Sequence, residues 1–338
     1  MLICDKLVFI ELQKTGSTHI KQLLRELVGG VNDGKHNTPD ERMLHCGKPF
    51  VGSVRNPWLW YLSLWSYGCQ SKGELYQRLT HEKRWKRLGD KAESRRARES
   101  AAPANEQDDD GDEADSPRRL PAHWNAERAK YWYADPDNPE AFREWIQAVL
   151  GRRTLRHMLM AGYGKSPIGK AGGLMTYRYF TLFVKGAETA GPTMNNLLSL
   201  RLMDRSDCFV NHFIRNESLA DDFIQVVQSC GVDLSDTQRE SVLSARKVNT
   251  STRPHGPSYY YDEASLKLVA RRERFIIEKF GYSAAKPRLD TAKVAAVSAP
   301  VSVASAQISV GARLIAEAAA ARQRRKQQKA QREAVMSA

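Results

Sequence analysis

Residues 7–28 read "LVFIELQKTGSTHIKQLLRELV". The β-branched and aromatic run at 7–11 predicts a strand. Lys14-Thr15-Gly16-Ser17-Thr18 follows, and a helix is expected over 18–28. Ile20, Leu23, Leu24, Leu27 and Val28 recur there at helical spacing before Gly29 and Gly30. A strand, a tight turn and a helix N-terminus make an anion site, because the first N–H groups of a helix lack internal partners and its dipole favours negative charge. Gly16 lets the backbone approach a ligand closely. Lys14 adds a charge, and Thr15, Ser17 and Thr18 add hydroxyls. The nucleoside-triphosphate loop requires G-x-x-x-x-G-K-[ST]. Here the lysine comes early and no glycine opens the loop. The plain alternative is a strand–helix turn with a serine cap.

A second strand–helix unit lies at 49–65, "PFVGSVRNPWLWYLSLW". It predicts a strand at 49–54 and a helix capped by Asn56 with Pro57 in its first turn. Trp58, Leu59, Tyr61, Leu62 and Trp65 are expected on its buried side. Arg55 falls at the carboxyl end of the strand, the edge where open α/β sheets take ligands. Its forked guanidinium suits a phosphate, and Ser63 follows two helical turns later. Downstream, "PEAFREWIQAVL" (139–150) reads as helix and "CFVNHFI" (208–214) as a late strand. After it comes a helix with Leu219, Phe223, Val226 and Val227 inward, and a last helix is expected over 262–280. Alternating strands and helices predict an α/β fold with a central parallel sheet.

Taken together, these motifs resemble the sulfotransferases that use 3′-phosphoadenosine 5′-phosphosulfate (PAPS). "KTGST" is similar to that family's 5′-phosphosulfate loop, and "VRNPWLWYLSLW" to its 3′-phosphate motif. "NHFIRNESLADDF" (211–223) resembles its late strand and helix. Residues 248–282, ending "RRERFIIEKFGY", resemble the closing segment of carbohydrate-type members. Gln13 stands where the family often has proline and Glu11 where many members have histidine. Leu59 and Trp60 replace charged residues.

The resemblance implies a P-loop-like three-layer αβα fold over residues 1–283. It implies transfer of a sulfuryl group from PAPS to a hydroxyl or amine of a carbohydrate, glycolipid or small-molecule acceptor, without a metal. The 5′-phosphate then falls to Lys14, Thr15, Gly16, Ser17 and Thr18, and the 3′-phosphate to Arg55 and Ser63. Lys14 is expected to stabilise charge on the leaving phosphate. His36, in "GKHNTPDERML", is the candidate base, because an imidazole titrates near neutrality. His45 and Glu11 are reserves, and pairing with Lys14 is the ordinary explanation of Glu11. Thr176, Tyr177 and Arg178 in "GGLMTYRYF" are candidates to line the acceptor site.

Composition narrows the setting. The chain has 338 residues and a formal charge of +13. Residues 284–338 carry a net +7 of it, leaving +6 for the rest. About half of the basicity therefore sits in what reads as a linker and a solvated, Ala-rich tail helix, and no nucleic-acid partner is expected. Residues 94–120 place an acidic block between basic patches without apolar periodicity, which predicts a disordered insertion. Five scattered cysteines without a C-x-x-C pair argue against a disulfide framework or a zinc site. No apolar run of ~18 residues predicts a spanning helix, and the chain enters its first strand too early for a signal peptide. A bacterial cytoplasmic enzyme is the expectation. The rival readings are an ATP-dependent kinase of P-loop type and a non-catalytic nucleotide- or nucleic-acid-binding protein.

Overall fold

The computed structural model describes residues 1–90, 123–151, 155–245 and 255–284. The expected insertion at 94–120 and the tail beyond 284 lie outside the described residues. Among the described residues the fold is mixed α/β, with a five-stranded sheet in the order β3-β1-β2-β4-β5. Its strands are β1 (Leu2–Ile3), β2 (Val8–Ile10), β3 (Val31–Asn32), β4 (Phe50–Val54) and β5 (His212–Arg215). β2, β4 and β5 run parallel, with Ile10 opposite Gly52 and Val54 opposite Arg215.

The expectation of a parallel sheet needs one correction. β1 is antiparallel to both β2 and β3, so the sheet is mixed. The cause is local. Residues 4–7 form a tight turn, with the Cys4 N–H donating to Leu7 O at 2.9 Å, and a connection this short can only return the chain antiparallel.

Side chains alternate across the sheet, and both faces are covered. Val8, Ile10, Phe50 and Val54 enter one core, while Leu7, Phe9, Val51 and Ile214 enter the other. Burial on both sides explains why β2 reads as an unbroken apolar run and β4 as one interrupted only by Gly52 and Ser53. Helix α1 (Ser17–Leu27) places Ile20, Leu23 and Leu24 in the second core. They meet Leu219, Phe223, Val226 and Val227 of the Leu219–Ser229 helix there.

After α1 come the short α2 (Glu41–Leu44) and α3 (Pro57–Gly68), the latter packed into the first core. The Asn56 side chain accepts from the N–H groups of Trp58 (3.1 Å) and Leu59 (3.4 Å). Its inward face differs from expectation at one position. Trp60 is fully buried and Leu59 only partly so, because the Trp60 indole N–H reaches the Gln13 carbonyl at 2.7 Å.

Two further elements differ from the sequence reading. The late strand begins at His212 rather than 208. Cys208 instead bridges Val184, and Asn211 exchanges hydrogen bonds with the Phe50 backbone at 2.7 and 2.8 Å. The expected helix at 262–280 is two helices, Glu263–Arg272 and Arg274–Phe280. The break is at Glu273, whose buried carboxylate accepts from the Met175 N–H (3.0 Å), the Thr176 N–H (2.8 Å), the Thr176 hydroxyl (2.6 Å) and the Tyr61 hydroxyl. Those amides begin the Leu174–Phe183 helix, which has no side-chain cap of its own. A carboxylate from another part of the chain thus satisfies its orphan donors.

All five cysteines are free. No helix among the described residues is long and apolar enough to cross a membrane.

Candidate functional site

The carboxyl ends of β2, β4 and β5 meet at one edge of the sheet, and the loops leaving them are bonded to one another. The Thr15 hydroxyl donates to Leu12 O at 2.6 Å and lies 2.6 Å from the Ser53 hydroxyl, which must therefore donate to it. Arg55 Nη1 donates to Lys14 O at 3.1 Å. The Asn56 N–H donates to the Glu217 carboxylate at 2.9 Å. Burial pushes the Glu217 carboxyl up, opposed by the Asn56 N–H and the Arg55 charge.

The loop itself is a left-handed turn. Lys14 has φ 64° and Gly16 φ 82°. A non-glycine residue in this region carries a steric cost and persists only where its surroundings hold it. Among the described residues, Lys14, His36 and Ser71 are the non-glycine positions with positive φ, so both candidate catalytic residues are among the three. Gly16 is the N-cap of α1 and no side chain caps this helix. A helix N-terminus of this kind favours an anion.

The positive φ disfavours any other residue at Gly16, and space adds to this. A Cβ there would lie 2.5 Å from Asn216 Nδ2 and 2.8 Å from Leu219 Cδ1. Gly16→Ala is expected to lower stability by about 1–3 kcal/mol. Urea unfolding reads this directly, and an unchanged midpoint would contradict the tight-turn argument.

Each expected ligand residue has a definite place. Thr15 is fully buried with its hydroxyl spent inside the protein, so its backbone N–H is what it offers a ligand. Ser17 is buried in the first turn of α1, while Thr18 is exposed and lines an open groove with Lys21, Arg25 and Lys35. Ser63 lies on the buried side of α3, at 4% exposure. The Lys14 ammonium sits 3.9 Å from the centre of the Tyr67 ring, a cation–π contact. Gln13 is held from two sides, by the Trp60 indole at its carbonyl and by Arg178 Nε at its side chain, 2.9 Å away.

His36 Nδ1 lies 2.9 Å from Glu11 O. A carbonyl only accepts, so Nδ1 carries the proton and Nε2 keeps the lone pair. Burial lowers the His36 pKa below the ordinary histidine value; the bond to Glu11 O opposes this, and the Arg178 charge adds to it. The imidazole is thus neutral near pH 7 and able to accept a proton.

The reserve bases are differently engaged. Glu11 is 1% exposed and pairs with Lys21 at 2.8 Å and the N-terminal ammonium at 3.7 Å. The pairing with Lys14 is therefore replaced, since Lys21 projects back from the second turn of α1. His45 is exposed and bonded to Glu41 O of its own helix at 2.7 Å. Of the trio at 176–178, Thr176 is bound to Glu273 and the Tyr177 hydroxyl to Ala161 O. Arg178 alone reaches the Lys14 loop.

Gln13, Ser53, Trp60, Tyr67 and Glu217 were not legible as site residues. A polar Ser53 inside an apolar strand was the one usable signal. Among the described residues no group of three or more His, Cys, Asp or Glu gathers as a metal ligand set. No family model, curated protein or solved structure matches the chain.

Proposed function

We propose that the chain is a PAPS-dependent sulfotransferase of P-loop-like αβα architecture. The observation that carries this reading is the bond from Arg55 Nη1 to Lys14 O at 3.1 Å. It joins the two motifs of the resemblance at the ligand-binding edge of adjacent parallel strands. One edge then offers two anion-binding elements side by side, which suits a nucleotide phosphorylated at both its 3′ and 5′ positions. The residues fit that ligand. The N-terminus of α1 lacks a side-chain cap, and two cations, Lys14 and Arg55, lie at the turn.

When bound, PAPS supplies a sulfuryl group on an activated phosphosulfate anhydride. The α1 amides hold the 5′-phosphate, and Arg55 with Ser63 holds the 3′-phosphate. His36 Nε2 accepts the proton of the acceptor hydroxyl or amine as its oxygen or nitrogen bonds to sulfur. Lys14 stabilises charge that grows on the phosphate oxygen as the sulfur–oxygen bond breaks. Such chemistry needs positioning and charge stabilisation above all, as phosphoryl transfer does. The acceptor belongs to the class of carbohydrates, glycolipids or small metabolites.

Incubation with sulfur-labelled PAPS and a panel of such acceptors tests the reading. Label in the acceptor supports it, and magnesium-dependent transfer from ATP instead would overturn it. Arg55→Ala is expected to weaken adenosine 3′,5′-bisphosphate binding by about 10–100-fold, the worth of a charge-assisted contact. Calorimetry checks this, and an unchanged Kd would remove Arg55 from the 3′-phosphate site.

A further inference from the structure

The Leu174–Phe183 helix brings to the Lys14 loop a guanidinium hydrogen-bonded to neutral groups. Arg178 is partly buried. Its Nε donates to Gln13 Oε1 at 2.9 Å, and its Nη1 lies 3.6 Å from Met160 Sδ. The carboxylate whose charge reaches it is Glu74, but Glu74 is ion-paired to Arg78 at 2.6 Å. Other buried or partly buried arginines are more fully matched. Arg215 is bound through Nε and Nη2 by Asp222, at 2.6 and 2.8 Å, and Arg128 by Glu144. Arg272 has no carboxylate either, but its guanidinium donates to three backbone carbonyls, those of Gly169, Lys170 and Gly172, whereas Arg178 has a single oxygen acceptor among the described residues.

A cation withdrawn from water without a counter-charge costs stability. Its presence beside the site is explained if an anion arrives from outside the chain. The nucleotide side of the site already has Lys14 and Arg55. Arg178 is fixed to Gln13, next to Lys14, at 2.9 Å, and its charge is felt by His36, the group proposed to meet the acceptor's proton. Gln13 occupies Nε and Met160 Sδ neighbours Nη1, which leaves Nη2 for an anion oxygen.

We propose that Arg178 binds a carboxylate on the acceptor, so that the preferred acceptor is an acidic sugar or acidic small molecule rather than a neutral one. This rests on the sulfotransferase reading for the word acceptor, and on the geometry around Gln13 and His36 for the charge.

Calorimetric titrations of glucuronate and of glucose, each with and without saturating adenosine 3′,5′-bisphosphate, test it. Wild type is expected to bind glucuronate at least about tenfold more tightly than glucose, as befits a charge-assisted pair. Arg178→Gln is expected to abolish that preference. Arg178→Lys, which keeps the charge but not the fork, is expected to retain only part of it and serves if the glutamine variant does not fold. Equal binding of the two sugars, binding of neither, or a preference that survives Arg178→Gln overturns the proposal. So does an Arg178→Gln effect confined to bisphosphate affinity, which would place the residue on the nucleotide side. If bisphosphate fails to bind while the Arg178-dependent preference for glucuronate persists, the sulfotransferase reading falls and the anion site stands.

Discussion

Lys14→Ala is expected to lower turnover by about 10²–10³-fold, the usual loss on removing one group that stabilises developing charge. Bisphosphate affinity should change far less. The difference follows from what the lysine meets at each stage. Before transfer its ammonium is held over the Tyr67 ring, 3.9 Å from the centroid. The charge it is placed to stabilise grows on the leaving phosphate only as the sulfur–oxygen bond breaks. An interaction stronger in the transition state than in the ground state raises kcat rather than affinity. The left-handed backbone at Lys14, tied by Arg55 at its carbonyl, fixes where the side chain starts. Single-turnover kinetics read the result. A variant with lost bisphosphate affinity and a normal transfer rate would show that Lys14 is a binding residue only.

His36→Ala carries the second large effect, about 10²–10⁴-fold in turnover, as for a general base. The pH profile adds a sharper mark. Burial and the Arg178 charge depress the His36 pKa, so its neutral form persists to lower pH than in an ordinary histidine. The acid limb of kcat/KM should therefore lie below about pH 6.5, the unperturbed value. Activity is retained above the limb and falls as pH drops through it. A limb at or above that value, or one that survives in His36→Ala, would assign the base elsewhere. Glu11 and His45 are poor replacements. One is buried against Lys21 and the N-terminus, and the other is bonded to its own helix.

What was legible in the sequence was local. The strands at 8–10 and 50–54 announced themselves because both faces of the sheet are covered. Asn56 and Pro57 marked the start of α3 because cap chemistry is set by adjacent residues. Two-residue strands carry no periodicity, so β1 and β3 left no signal, and the sheet was expected to be parallel throughout. The segment at 262–280 holds a continuous helical pattern, and nothing local marks Glu273 as the carboxylate that will cap a helix beginning at Leu174. The site divides along the same line. Lys14, Gly16, Arg55 and His36 could be named from neighbours in sequence. Trp60 and Arg178 as supports of Gln13, and Tyr67 as the rest for Lys14, depend on contacts across the fold.

The central claim is that the edge formed by Lys14, Gly16 and Arg55 holds a nucleotide phosphorylated at both 3′ and 5′ positions. Calorimetric titration of the full chain with adenosine 3′,5′-bisphosphate in the presence of a chelator, set beside a titration with magnesium and ATP, tests it most directly. Bisphosphate is expected to bind tightly without metal and ATP weakly. Tight magnesium-dependent binding of ATP with no binding of the bisphosphate would contradict the claim.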